Sequence, residues 1–342
     1  MAITRTPTKT PITRSVKTLR DTEVFEQTLR PKKLSEYVGQ GKIKEHLLTH
    51  MGAARVRNES LGHTLLHGPP GLGKTTLASI VAHEMNTQLR TTYGPAIEKP
   101  GDLASLLTNL SEGDVLFIDE IHRMRPAIEE VLYSAMEDFA LDLVIGKGPT
   151  ARSMRIDLKP FTLVGATTKA GGISAPLRDR FVHSYKLHFY SEKEMEDIVV
   201  RSSKILNIDI EDGVASYLAT CCRATPRIAN RLVRSIRDFA QVRNESSISL
   251  NRVKETLLSL GIDTNGLDET DRLILSSIVE KFGGGPVGLS TLAASIAEEC
   301  ETVEDVYEPY LLQCGYLQRT AKGRAATPLT FDLLGIAMPE SL

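Results

Sequence analysis

The sequence predicts an α/β fold built on an open parallel sheet, and three segments carry that prediction. Residues 68–75 read Gly-Pro-Pro-Gly-Leu-Gly-Lys-Thr, residues 114–120 read Asp-Val-Leu-Phe-Ile-Asp-Glu, and residues 161–168 read Phe-Thr-Leu-Val-Gly-Ala-Thr-Thr. The first is a glycine loop entered from a short apolar strand, Thr64 to Leu66. It is left by a helix starting near Lys74, with Leu77, Ile80 and Val81 at helical spacing. The other two contain near-continuous apolar runs, as strands covered on both faces do, and both end in polar residues. In such sheets the chemistry sits at the carboxyl ends of the strands.

Each element has a physical reason. Gly68, Gly71 and Gly73 let backbone N–H groups close around phosphate oxygens with no Cβ in the way, and the following helix N-terminus favours anionic charge. Lys74 neutralises β- and γ-phosphates, and the Thr75 hydroxyl suits Mg²⁺. Asp119 ends a strand where a carboxylate can hold the Mg²⁺ shell, and Glu120 beside it is the candidate base that orients water for attack on the γ-phosphate. Ile128, Val131, Leu132 and Met136 mark an amphipathic helix, and Thr167 and Thr168 end the third strand as candidate γ-phosphate sensors. Arg178 and Arg180 lie in Pro-Leu-Arg-Asp-Arg-Phe, where an assembly ATPase can extend an arginine into a neighbour's site.

Past about Tyr190 the pattern turns helical through residue 260. Ile228, Leu232, Ile236 and Phe239 form one apolar stripe, backed by Arg227, Arg231, Arg234 and Arg237. The arginine face reads as solvated or subunit-facing, with Arg227 able to report on nucleotide. A boundary near Gly261 to Gly266 leads to helices over 270–282, 289–299 and 302–313 and then a hairpin, the order of a winged helix. The third helix opens on Thr302-x-x-Asp305, close to a capping box, shows Val303, Val306, Tyr307, Tyr310 and Leu311 on one face, and stops at Gly315. Arg319, Lys322 and Arg324 flank the hairpin turn with no acid between Gln318 and Arg324, which suits contacts to nucleic-acid phosphates.

Bulk properties exclude several classes. The 342-residue chain has room for two or three domains, and no apolar run approaches the ~18 residues of a membrane span. Arg5, Lys9, Arg14, Lys17 and Arg20 sit in a stretch with no apolar core, so residues 1–25 read as a basic solvated tail and not a secretory signal. Four cysteines without metal-ligand spacing suit a reducing cytoplasm. A net charge of −2 confines any nucleic-acid contact to a local patch.

Beyond the nucleotide site, the chain resembles the RuvB family of bacterial Holliday-junction branch-migration motors, in the AAA+ class. The resemblance rests on Leu-Arg-Pro-Lys (29–32), Glu-Tyr-Val-Gly-Gln (36–40), the extended loop motif (68–78), Asp-Val-Leu-Phe-Ile-Asp-Glu-Ile-His-Arg (114–123), Ala-Met-Glu-Asp-Phe (135–139), Thr-Pro-Arg-Ile-Ala-Asn-Arg (225–231), Gly-Gly-Pro-Val-Gly-Leu (284–289) and Glu-Asp-Val-Tyr-Glu-Pro-Tyr-Leu (304–311). It implies a large AAA+ ATPase domain over 26–190, a helical lid over 191–261 and a winged-helix domain over 262–342. It also implies ATP and Mg²⁺ as cofactors, a homo-hexamer on the duplex arms of a junction, and RuvA and the RuvC resolvase as partners in recombination and repair. Leu29, Arg30, Thr76, Arg178 and Tyr190 join the nucleotide-binding set by position. Thr167 or Thr168 takes the sensor 1 place, Arg180 the arginine finger and Arg227 sensor 2, while Arg319 and Arg324 match the DNA-contacting wing.

Residues 144–156 match a protruding hairpin that engages RuvA, with Ile145, Gly146, Lys147, Gly148 and Pro149 at its tip. Three positions depart from the pattern: Lys147 replaces an acidic residue, Phe181-Val-His lacks a glycine, and Ala224 replaces the glycine before Thr-Pro-Arg. The alternatives within reach of the same residues are another AAA+ DNA machine, such as a clamp loader, and a nucleotide-gated DNA-binding scaffold.

Overall fold

The computed structural model describes residues 28–145 and 152–339. The basic tail and Gly146, Lys147, Gly148 and Pro149 of the hairpin tip therefore lie outside the described residues.

Helix α1 (Gly41–Arg57) precedes strand β1 (Thr64–His67), and the glycine loop leads into α2 (Lys74–Glu84). There follow β2 (Leu89–Tyr93), α3 (Pro100–Thr108), β3 (Val115–Asp119), α4 (Pro126–Glu137), the pair β4 (Ala140–Ile145) and β5 (Arg152–Asp157), β6 (Thr162–Thr167), α5 (Ala175–Asp179) and β7 (His183–Lys186). The five-stranded sheet runs β2-β3-β6-β1-β7, every neighbour parallel. Alternation along each strand divides the core between two faces. Leu66, Val115 and Phe117 pack on one side with α2, and Leu65, Leu116 and Ile118 on the other with α3 and α4. This order brings the ends of β1, β3 and β6 together, so the glycine loop, Asp119 and Thr167 share one edge. β4 and β5 pair antiparallel as a separate hairpin, from Ala140 opposite Asp157 to Ile145 opposite Arg152.

Four helices form the lid: α6 (Glu192–Ile205), α7 (Val214–Cys221), α8 (Pro226–Val242) and α9 (Leu250–Ser259). α6 starts in a capping box, Ser191 Oγ accepting from Glu194 N–H while the Glu194 carboxylate accepts from Ser191 N–H at 2.8 Å. The core face of α8 is Ala229, Leu232, Val233, Ile236 and Ala240. Phe239 is exposed, which corrects the expected stripe: the buried arc is centred on Ala229, Val233, Ile236 and Ala240, and Phe239 falls at its border. The lid core is continuous with one face of the sheet.

The last module contains α10 (Glu269–Ser276) extended by a π turn (Ser277–Lys281), then α11 (Leu289–Ser295). A run over 300–313 follows, made of α12 (Cys300–Thr302), a second π turn (Val303–Tyr307) and α13 (Glu308–Gln313). The wing strands β8 (Leu317–Thr320) and β9 (Gly323–Ala326) pair antiparallel, and α14 (Pro328–Leu334) packs behind them. Its own core includes Ile274, Ile278, Leu292, Leu311 and Phe331.

Four expectations need correction here. The helix expected over 289–299 ends at Ser295, because Ala297 turns left-handed at φ +59° and breaks the ladder. Thr302 does not cap a helix: the run already begins at Cys300, so Thr302 is helical and Asp305 is left to bond elsewhere. Val306 is exposed, since the wider π turn shifts the face that Val303, Tyr310 and Leu311 bury. Helix α14 extends the fold beyond the expected hairpin, opening with Pro328 in its first turn and stopping at left-handed Gly335. Gly315, expected as a helix stop, is left-handed at φ +75°.

The lid and winged helix are joined at Arg223, which is buried and ion-paired with Asp268 (2.7 Å) and Asp271 while donating to the Gly266 carbonyl (3.2 Å). Among the described residues no helix is long and apolar enough to cross a membrane.

Candidate functional site

The glycine loop needs glycine both for torsion and for space. Gly68 has φ +140°, and a Cβ there would stand 2.6 Å from the Leu187 carbonyl oxygen. Gly73 has φ +97°, and its Cβ would meet the Tyr37 hydroxyl at 2.7 Å. That hydroxyl donates to the Leu72 carbonyl at 3.1 Å, as does Tyr190 Oη, also at 3.1 Å. Two buried phenols thus prop the loop from beneath. Burial pushes the Tyr190 phenol up to about 12, so it stays a neutral donor.

In front of the loop lies a cavity of about 240 Å³ lined by Leu29, Arg30, Pro70, Gly71, Gly73, Lys74, Thr75, Thr76, Asp119, Glu120, Pro226, Arg227, Asn230, Arg231 and Arg234. Lys74 is buried, and its ammonium donates to the carbonyls of Gly68 (2.8 Å) and Pro69 (2.9 Å). Burial lowers its pKa, with Glu120 and Asp119 opposing. Asp119 is shifted the other way: burial raises its carboxyl, although the Glu120 N–H donates to it at 3.0 Å. A half-buried carboxylate held above its usual range, lining the same cavity as Thr75, is a donor set that a divalent cation would stabilise. Mg²⁺ keeps few protein ligands, so at this site Thr75 and Asp119 would leave most of its positions to phosphate oxygens and water.

Glu120 is held in the left-handed region at φ +47°, a strained backbone of the sort found at functional sites. Its Oε2 accepts from Thr168 Oγ1 (3.2 Å) and lies 3.4 Å from Thr168 N and 3.2 Å from His122 Nδ1. The same Nδ1 meets Thr167 Oγ1 at 2.9 Å. Both candidate sensor threonines are thus tied to Glu120, Thr168 directly and Thr167 through His122. The imidazole side chain is nearly buried, and burial lowers its pKa, with the Glu120 charge opposing. The sequence marks His122 only by its place two residues after Glu120, because its partner Thr167 lies on a different strand.

The lid covers the cavity from one side. Arg227 N–H donates to the Gly71 carbonyl at 3.4 Å. Arg231 and Arg234 join Arg227 in the cavity wall, so the stripe read as solvated or subunit-facing is in part the site's own cationic roof. Leu29 is buried, with its carbonyl accepting from Arg201 at 2.7 Å. Tyr190 does not line the main cavity but opens onto a smaller space of about 60 Å³ shared with Leu29, Arg30, Tyr37 and Thr76.

Arg178 and Arg180 are outside this chain's own cavity. Arg178 is exposed. Arg180 donates to Glu137 (2.7 Å) and to the Pro176 carbonyl (2.9 Å), with its guanidinium 4.9 Å from the Tyr133 ring centroid.

The wing cations have partners that their own segment does not contain. Arg319 Nε stands 2.6 Å from Glu308 and Nη2 3.2 Å from Glu304, while Arg324 Nη2 stands 2.9 Å from Glu308. Burial pushes the Glu308 carboxyl up, but hydrogen bonds from Arg319 and Arg324 outweigh it and hold it below its usual range. The patch read as free of acid is therefore charge-compensated by the preceding helix. Arg324 is mostly covered, Arg319 half-exposed and Lys322 exposed at the turn.

Three family models match in order: the Holliday junction DNA helicase RuvB P-loop domain over residues 29–187, the RuvB AAA lid domain over 190–263 and the RuvB C-terminal winged helix domain over 264–335. Among solved structures, the Thermotoga maritima RuvB Holliday junction branch migration motor is 48% identical, covering 91% of this chain and 100% of its own, with a TM-score of 0.84. A single-residue variant of that protein gives 48% identity, the same coverage and a TM-score of 0.85. With matched domains accounting for nearly the whole described chain, the protein belongs to the RuvB family of Holliday junction branch migration motors.

Proposed function

We propose that this chain is a DNA-translocating ATPase that works as a homo-hexameric ring on the duplex arms of a junction. Its family supplies ATP hydrolysis and Holliday junction DNA as the substrate. The observation that carries the proposal is the cavity in which Lys74, Thr75, Asp119, Glu120 and Arg227 converge. ATP would lie with its triphosphate on the loop, Lys74 leaving the Gly68 and Pro69 carbonyls for phosphate oxygens. Thr75 and Asp119 would hold Mg²⁺, which supplies charge neutralisation at the β- and γ-phosphates. Glu120 orients the attacking water, and Thr168 with Thr167 relates the state of the γ-phosphate to Glu120. Leu29, Arg30, Thr76 and Tyr190 serve the nucleotide from the N-terminal side.

Arg180, with Arg178 beside it, acts on the neighbouring subunit's ATP, consistent with both lying away from their own cavity. Lid rotation, read through Arg227, drives the winged helix. Arg319, Lys322 and Arg324 contact duplex phosphates without reading sequence, as a stepping motor requires. RuvA engages the hairpin at Ile145 to Pro149, and RuvC acts with the assembled complex.

Steady-state ATP turnover with and without duplex DNA, and with Mg²⁺ removed by chelation, tests this reading. DNA-stimulated turnover lost on chelation is expected. Nucleotide binding and DNA binding without turnover would identify a nucleotide-gated scaffold instead.

A further inference from the structure

The helical run over 300–313 carries acids in two adjoining rows. Glu301 and Asp305 are four apart, as are Glu304 and Glu308, and three-residue spacing links the rows (Glu301 to Glu304, Asp305 to Glu308), so all four acids share one broad face. The first row meets the P-loop domain. Lys169 Nζ stands 3.0 Å from Asp305 and 3.8 Å from Glu301, and Arg123 also pairs with Glu301. The second row holds Arg319 and Arg324 of the wing through Glu304 and Glu308. One acidic face is thus shared between the loops that follow Glu120 and Thr168 and the wing.

The grip on the catalytic side is close to the chemistry. Lys169 N–H donates to Thr167 Oγ1 at 2.9 Å; that hydroxyl meets His122 Nδ1 at 2.9 Å, and His122 stands 3.2 Å from Glu120. A shift of Lys169 therefore reaches Glu120 through three polar contacts. Arg123 closes the same loop from the other end, three residues after Glu120.

We propose that Lys169 and Arg123 are positioning residues that couple duplex contact at the wing to the setting of Glu120, through Glu301 and Asp305. This rests on the reading of the wing as the duplex contact. Duplex phosphates compete with Glu304 and Glu308 for the Arg319 guanidinium. When phosphate takes it, Glu304 and Glu308 are released and the shared acidic face re-seats, carrying Glu301, Asp305 and Lys169 with it. The pairs on the catalytic side are partly exposed, so each is weak and salt-sensitive. Such contacts suit exchange between two seatings better than permanent docking. The Asp305 hydrogen bond, the largest influence on Lys169, raises its pKa and keeps it charged.

The test uses the full chain and reads the ratio of ATP turnover with saturating duplex to turnover without it, alongside duplex affinity from an equilibrium titration. In Glu301→Gln with Asp305→Asn the ratio should fall about fivefold, the lower range of site-to-site coupling, with duplex affinity held. Lys169→Glu should lose the stimulation, and adding Asp305→Lys should restore at least half of it. An undiminished ratio in the double variant overturns the proposal. So does a fall explained by lost duplex affinity, or a charge-swapped pair no better than Lys169→Glu alone. Wild-type protein that binds no duplex would instead strike down the reading of the wing, a distinct outcome seen before any variant is made.

Discussion

Glu120 and Thr168 are joined at the ends of neighbouring strands, carboxylate Oε2 to hydroxyl at 3.2 Å. The candidate base is thus bonded directly to a candidate γ-phosphate sensor, which gives the two proposed roles a physical link.

Glu120→Gln keeps the size and a hydrogen-bonding end but removes the charge that orients water. Nucleotide affinity should stay within a fewfold while turnover falls by roughly 10²–10⁴, the range of a lost general base. Equilibrium binding of labelled nucleotide and a steady-state assay check both halves. Normal turnover would remove Glu120 from the mechanism.

Arg180 should act across a subunit boundary. Arg180→Ala alone and Lys74→Ala alone should both be inactive, the first through loss of transition-state charge on its neighbour and the second through loss of its own site. Mixed in one preparation, intact sites from the first can face intact arginines from the second, and part of the turnover should return. Absence of recovery at every mixing ratio would count against a role in trans.

Histidines set an acid limit on stability. His63 is buried with Nε2–H donating to the Met136 carbonyl (3.0 Å) and Nδ1 accepting from Leu163 N–H (2.9 Å). Protonation would break the second bond, and burial lowers the His63 pKa, as it does for His67, His122 and His183. The folded pKa lies below the unfolded value of about 6.5, so the unfolded chain takes up protons first. Stability should be full above that value and fall as pH drops from it through the folded values, by up to about 1.4 kcal/mol per pH unit for buried His63 and by less for the other three, which solvent screens. Denaturation midpoints measured from pH 8 to 5 should decline in that window, and a flat profile would contradict the assignment.

Ala224 shows how a departure from the family pattern can be understood. It sits at φ +49°, next to Arg223 at φ +50°, where a Cβ is strained. The left-handed conformation costs an alanine about 1–2 kcal/mol, and glycine's greater unfolded entropy returns about 0.5–1 of it. Ala224→Gly should therefore stabilise by roughly 0.5–1 kcal/mol, read as a rise in thermal midpoint. A fall would mean that the methyl packs usefully.

The parallel sheet and phosphate loop were legible because their signals are local: glycines required by torsion and space, apolar runs required by double burial, and carboxylates at a strand end. What escaped depends on residues distant in sequence. His122 gains its role from Thr167 on another strand, and the wing arginines are neutralised by Glu304 and Glu308 from a helix that the turn's own composition does not reveal. The Thr302 capping signal failed because the helix had already begun at Cys300, freeing Asp305 for Lys169. Phe239 fits the helical period of Ile228, Leu232 and Ile236, but the buried arc is centred on Ala229, Val233 and Ala240, which leaves Phe239 at its edge.

Dissociation of a synthetic four-way DNA junction, with wild type and Glu120→Gln compared in the presence of ATP, Mg²⁺ and RuvA, tests the central claim most directly. Conversion to duplex arms by the wild type alone is the predicted result. Equal conversion by both proteins would show that strand exchange does not draw on hydrolysis at Glu120, and no conversion by an actively hydrolysing wild type would contradict branch migration as the work it performs.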